Sequence, residues 1–157
     1  MKGDMMPNFQ QAIDLTNSFV SIARQLKRIN LQTATKLGLT FQQLIILNSI
    51  RNNEGLSQKE LTERIRTAKS RVSLSIDELE KKNYVKRETS AIDRRETQLF
   101  LTPDGEELCQ RYREESEAYK SLANSLEQFS QDELTILIDM QKKILTDLSN
   151  EQTNCSK

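Results

Sequence analysis

Between Pro7 and Pro103 this chain of 157 residues contains no proline, and its apolar residues there recur mostly at intervals of three and four. That spacing lines apolar side chains along one stripe of a helix of 3.6 residues per turn, so the chain must fold mainly as α-helix. In the first segment Phe9, Ala12, Leu15, Phe19, Ile22, Leu26 and Ile29 form such a stripe, widened by Ile13 and Val20. Thr40 is placed to cap a second helix, with Phe41, Leu44, Ile45, Leu47 and Ile50 as a broad apolar face before Gly55 ends it. A face that broad predicts burial near the domain centre.

Ser57 followed by Glu60 is a capping box, opening a short helix to about Arg66 with Leu61 and Ile65 facing inward. Thr67 is then expected to cap a further helix, whose Val72, Ile76 and Leu79 lie within about 60° of one another at 100° per residue. Two short helices meeting across a tight turn are the helix-turn-helix pattern, though such pairs also occur in purely structural bundles. After Asn83, which tolerates the left-handed conformation that ends helices, the composition changes. Tyr84 to Glu88 and Thr97 to Leu101 are rich in β-branched and aromatic residues and are joined by a polar loop, which predicts a β-hairpin. Helix pair plus hairpin makes a winged helix over residues 37–102, with the hairpin as the wing.

Thr102-Pro103 restarts a helix, in which Leu108, Tyr112, Tyr119, Leu122, Leu126 and Phe129 recur at helical spacing. Ser130 with Glu133 opens the last helix, and residues 150–157 read as a disordered tail. The expected fold class is mainly α with a small β-hairpin wing, a winged helix-turn-helix flanked by N- and C-terminal helices. One winged helix cannot cover the long terminal stripes. Residues 1–36 and 103–149 are therefore expected to form a dimerisation region, through Phe9, Ile13, Leu15, Phe19, Leu134, Leu137, Ile138, Ile144, Leu145 and Leu148. A bundle within one chain is the alternative.

Composition narrows the function. Histidine is absent, which removes the commonest general base, the usual partner of a nucleophilic Ser or Cys, and most zinc chemistry. Four glycines form no phosphate-cradling loop. The chain therefore does not read as an enzyme; carboxylate pairs such as Glu106-Glu107 and Glu114-Glu115 read as solvated helix surface. Cys109 and Cys155 give no disulfide framework, and Cys109 reads as a buried structural thiol rather than a redox sensor. No metal or cofactor is expected. No stretch approaches the roughly 18 apolar residues of a membrane span, and MKGDMMPNFQ lacks the apolar core of a signal peptide, so a cytoplasmic location without membrane contact is expected.

The net charge of zero conceals an asymmetry. Residues 1–102 carry 17 Lys+Arg against 11 Asp+Glu, and residues 103–157 carry 6 against 12. Residues 64–95 alone hold ten basic side chains against five acidic ones, as a phosphate-binding surface would. A solvated mixed-charge surface has the same composition.

The segments LTFQQLIILNSI (39–50), LSQKELTERI (56–65), KSRVSLSIDELEKKNYVKRE (69–88) and DRRETQLFLTPDG (93–105) resemble the MarR family of bacterial transcriptional regulators, over about residues 8–148. The resemblance implies a homodimer of triangular outline whose terminal helices form the dimer domain. It also implies that each subunit presents one winged helix to a pseudo-palindrome in double-stranded DNA, and that a small ligand or an oxidant often relieves binding, which makes a repressor the expected role. The first helix has no cysteine, so a small organic effector of unknown identity is the expected signal.

With Val72, Ile76 and Leu79 facing inward, Ser70, Ser73, Leu74, Asp77 and Lys81 form the outer ridge of the recognition helix. Residues near its N-terminus would touch base edges, so Lys69, Ser70, Arg71, Ser73 and Leu74 are the candidates. Lys69 or Arg71 can reach guanine or phosphate, and sequence does not separate the two. The family often has a basic residue where this chain has Leu74, which either meets a thymine methyl or is an ordinary exposed leucine. In the wing, the resemblance implies that Asp93 holds Arg95 while the arginine enters the minor groove, with Arg94 near phosphate. A salt bridge that merely shapes the hairpin is the alternative. Lys86 and Arg87 are expected to serve phosphates or solvent. The rival function is a winged helix used as a protein-interaction module, its basic surface contacting an acidic partner.

Overall fold

Seven helices and one hairpin make up the described residues of the computed structural model, which are 9–91 and 93–154. In chain order they are α1 (Phe9–Lys36), α2 (Phe41–Arg51), α3 (Gln58–Ile65), α4 (Lys69–Lys81), β1 (Val85–Thr89), β2 (Thr97–Leu101), α5 (Pro103–Glu115), α6 (Glu117–Leu126) and α7 (Gln131–Asn154). The chain divides into two units after Ala118.

In the first unit α2 is the central element, packed against α1, α3, α4, α5 and β2. Its Leu44, Ile46, Leu47 and Ile50 are buried, and Phe41 and Ile45 are partly so. Around them lie Leu61 of α3, Val72, Ile76 and Leu79 of α4, Val85 and Leu99 of the hairpin, and Leu108 and Tyr112 of α5. All three residues expected to form the inner face of α4 are wholly buried. The Tyr112 hydroxyl donates to Asn30 Oδ1 at 2.7 Å, joining α5 to α1.

Local chemistry sets the joints. Thr40 and Gln43 form a capping box on α2, and Ser57 and Glu60 one on α3. The Ser57 hydrogen bonds hold the Glu60 carboxyl below its ordinary value. At the end of α4, Asn83 is left-handed (φ 60°), with its N–H on the Glu80 carbonyl and the Tyr84 N–H on the Leu79 carbonyl. That pair of bonds is a Schellman motif, and it turns the chain into β1. The strands pair antiparallel from Val85↔Leu101 to Thr89↔Thr97. A bridge between Ser57 and Gln98, with the Leu99 N–H on the Leu56 carbonyl at 3.0 Å, fastens β2 to the start of α3.

Three expectations are corrected. The turn between α3 and α4 is made by Arg66, left-handed at φ 51°, and the residue flanking α4 is Ala68 with no side-chain cap, not Thr67. The single helix expected from Thr102 to Phe129 breaks at Ser116, which is extended (ψ 105°) and wholly buried. The tail expected from residue 150 runs as helix through Asn154, whereas Cys155 to Lys157 lie outside the described residues.

α7, in the second unit, opens with the expected capping box. Ser130 donates its backbone N–H to Glu133 Oε2 at 2.8 Å, and Glu133 returns its N–H to Ser130 Oγ at 3.2 Å. Ser130 also holds the Glu133 carboxyl below its ordinary value.

Candidate nucleic-acid interface

Burial of Val72, Ile76 and Leu79 fixes which side of α4 faces water. Lys69, Ser70 and Arg71 are exposed, Ser73 is half-buried, and Leu74 is 60% exposed. The ridge anticipated from helical arithmetic is therefore the solvent face. The start of α4 is also electrostatically open. Ala68 gives no side-chain cap and the first turn has no acidic residue, so amide N–H groups and the positive end of the helix dipole are left for an anion.

The wing brings a second group of cations to the same region. Ser57, Gln58, Lys59, Thr62 and Glu63 of the α3 end, Lys69 of α4, and Arg95, Glu96 and Thr97 of the wing line one cleft of about 470 Å³. Lys69 and Arg95, far apart in sequence, thus share a rim. Lys59 and Gln58 had not been anticipated there. The signal was the Ser57 cap, which sets them in the first turn of a helix whose preceding residue is bridged to the wing.

Asp93 acts on Arg95 through the main chain. Its Oδ1 accepts the Arg95 backbone N–H at 2.9 Å, while the Asp93 N–H reaches Ser90 Oγ at 3.3 Å and the Glu96 N–H reaches the Asp93 carbonyl at 2.9 Å. Such a turn presets the loop and leaves the side chain extended into water. Among the described residues no ion pair joins Asp93 to the guanidinium of Arg95, so the expected side-chain clasp is replaced by a backbone one. Arg94 and Arg95 are both exposed.

The other two wing cations are used within the protein. Lys86 Nζ lies 2.6 Å from Glu88 Oε1 and 5.5 Å from the centroid of the Phe100 ring, its cross-strand partner. Arg87 is turned back onto α4, paired with Asp77 at 2.6 Å and also with Glu80. The expectation that Arg87 serves phosphate or solvent does not fit this geometry.

Of the residues expected to dimerise, Phe9, Ile13 and Leu15 are exposed on α1, Phe9 at 83%, and Phe19 is half-buried. On α7, Leu137, Ile138, Leu145 and Leu148 are exposed and Leu134 and Ile144 half-buried. Each helix thus carries apolar surface that its own unit leaves uncovered.

Burial pushes the Cys109 thiol up to about 11, with the charges of Arg51, Glu106 and Arg113 as smaller influences. A thiol held protonated is a poor nucleophile. Among the described residues no cluster of three or more His, Cys, Asp or Glu could hold a metal ion, and no helix is long and apolar enough to cross a membrane.

Residues 37–96 match the family model described as MarR family. The HTH-type transcriptional repressor MdtR of Bacillus subtilis is 32% identical over 93 residues, 59% of this chain and 60% of its own length. The chain thus spans less than two thirds of that relative. A MarR family protein from Bacillus stearothermophilus superposes with a TM-score of 0.77 at 22% identity, covering 91% of this chain and 99% of that one. A cysteine-to-serine mutant of MarR from E. coli, complexed with operator DNA, superposes with a TM-score of 0.67 at 22% identity, covering 88% and 99%. At that identity the two structures speak for the fold.

Proposed function

We propose, from the match of residues 37–96 to the MarR family model and the likeness to the MdtR repressor, that this chain is a MarR-family protein and acts as a homodimeric, sequence-specific DNA-binding regulator of transcription, a repressor. The observation that carries this reading is that exposed Lys69 at the uncapped start of α4 and exposed Arg95 of the wing line one cleft, with exposed Arg71 and Arg94 close to them in the chain, while the opposite face of α4 is locked into the core. A 13-residue helix held in that way offers its first turns to a major groove. A wing with two free arginines suits the adjoining minor groove, where a narrow A·T-rich stretch concentrates negative potential.

The uncovered apolar residues of α1 and α7 support dimerisation, which would double the phosphate contacts and require a two-fold repeat in the DNA. The operator would be a pseudo-palindrome, as it is for the expected family pattern. A small organic effector would relieve binding only to the extent that it prefers the geometry that cannot reach both half-sites. A protein working on chromosomal DNA in this way would be cytoplasmic.

The test is a shift assay on duplex DNA at rising salt. Binding that weakens steeply with salt, as expected when several phosphates are neutralised, supports the reading. Absence of binding at low salt overturns it in favour of a protein-interaction module.

A further inference from the structure

Three carboxylates, Asp77, Glu78 and Glu80, sit on the helix that is expected to enter a groove walled by phosphates. Each is partnered from outside the helix. Gln43 Nε2 donates to Glu78 Oε2 at 2.7 Å. Arg87 takes the other two, with Nη2 on Asp77 Oδ1 at 2.6 Å and Nη1 on Glu80 Oε2. Asp77 and Glu80 are three residues apart and share a helix face, so one planar guanidinium spans both. The Arg87 side chain is 23% exposed, against 47% for Asp77 and 42% for Glu80. It is the least accessible member of the triad and is poorly placed to meet DNA itself.

We infer that Arg87 is a positioning residue for DNA binding: it holds the Asp77 and Glu80 carboxylates away from the groove and fastens the wing strand to the recognition helix. The inference rests on the DNA-binding reading. Without Arg87 the solvent-facing side of α4 would carry two free negative charges, Asp77 on the outer ridge and Glu80 beside it, and β1 would lose a tie to the helix it must stay in register with. A lysine could satisfy one carboxylate as a point charge but not both.

A cycle of variants of the full chain tests it, by titrating the shifted duplex at several salt concentrations. Arg87→Ala is expected to weaken binding about tenfold, with Arg87→Lys intermediate, and to cost less than about twofold once Asp77→Asn and Glu80→Gln are present. The slope of affinity against salt should not show the loss of about one counterion per subunit that marks a phosphate contact. If Arg87→Ala costs the same in both backgrounds and lowers the slope in each, with Arg87→Lys near wild type, Arg87 is a phosphate contact and the inference falls. Wild-type protein that shifts no duplex would instead overturn the DNA-binding reading and this inference with it.

Discussion

The amide of Gln43, a residue only 2% exposed, donates to Glu78 Oε2 at 2.7 Å, so a side chain of the central helix holds the recognition helix directly. The same side chain accepts the Thr40 backbone N–H at 3.0 Å, and the Gln43 backbone N–H reaches Thr40 Oγ1 at 3.1 Å. One residue therefore closes the start of α2 and fixes a position on α4. Gln43→Leu keeps the volume but removes the hydrogen bonds to the Thr40 N–H and the Glu78 carboxylate, both on exposed residues that water reaches. Loss of about 0.5–1.5 kcal/mol is expected, read as a lower urea midpoint. An unchanged midpoint would mean that water replaces the amide without cost.

Gly105, which closes the segment Leu101-Thr102-Pro103-Asp104-Gly105, has a steric reason to be glycine. A Cβ at this position would lie 2.0 Å from the Tyr84 carbonyl oxygen, which also accepts the Thr102 N–H at 3.1 Å. Thr102 Oγ1 in turn caps the Gly105 N–H at 3.1 Å and donates to the Asn83 carbonyl, so α5 leaves the wing through a close contact with its base. Gly105→Ala has to push α5 off the wing base and should cost at least about 1–3 kcal/mol on thermal unfolding. Wild-type stability in that variant would mean that the approach is looser than the geometry gives.

The sequence made the inner face of α4 readable because only one side of that helix is covered, which leaves a clean period in Val72, Ile76 and Leu79. Ile46 escaped the same reasoning. Its helix is surrounded by four helices and a strand, so burial there follows no single stripe. The break at Ser116 was hidden as well, since serine is no strong helix breaker and the apolar spacing runs on from Tyr112 to Tyr119 across it. At the interface, the exposed arginines of the Asp-Arg-Arg run and the start of α4 could be named from chain position. Where Arg87 points could not, because its partners lie seven and ten residues back on another element, and only the hairpin's path from Asn83 brings them together.

Cys109 should be a silent thiol. Its folded value of about 11 exceeds the ordinary 9.0, so the folded chain keeps a proton that the unfolded chain releases. The stabilising contribution is whole below about pH 9 and is lost as pH rises from there through 11. In a Cys155→Ser background, alkylation by iodoacetamide at pH 8 should be slow until urea unfolds the protein. Over pH 8.5–10.5, Cys109→Ala should lose less stability than its parent, on the order of a pKa unit's worth of free energy, about 1.4 kcal/mol per unit. Rapid alkylation of the folded protein, or parallel pH profiles, would contradict this.

Arg95 is preset by the turn at Asp93 rather than by an ion pair, so the two residues should separate in a binding assay. Arg95→Ala is expected to weaken DNA binding about tenfold and to reduce the salt slope by about 0.9 per subunit. Asp93→Ala should weaken binding less and leave the slope alone, because it frees the loop without removing a charge that meets phosphate. Equal slopes for wild type and Arg95→Ala would remove Arg95 from the DNA contact.

Selection of bound sequences from a pool of random duplexes, at moderate salt, tests the central claim most directly. Two recognition helices related by a two-fold axis should enrich an inverted repeat whose half-sites lie one or two turns of DNA apart, about 34–36 Å per turn. Recovery of a pool no different from the input would contradict it, and would leave the basic face of α4 and the wing as a surface for something other than a specific DNA sequence.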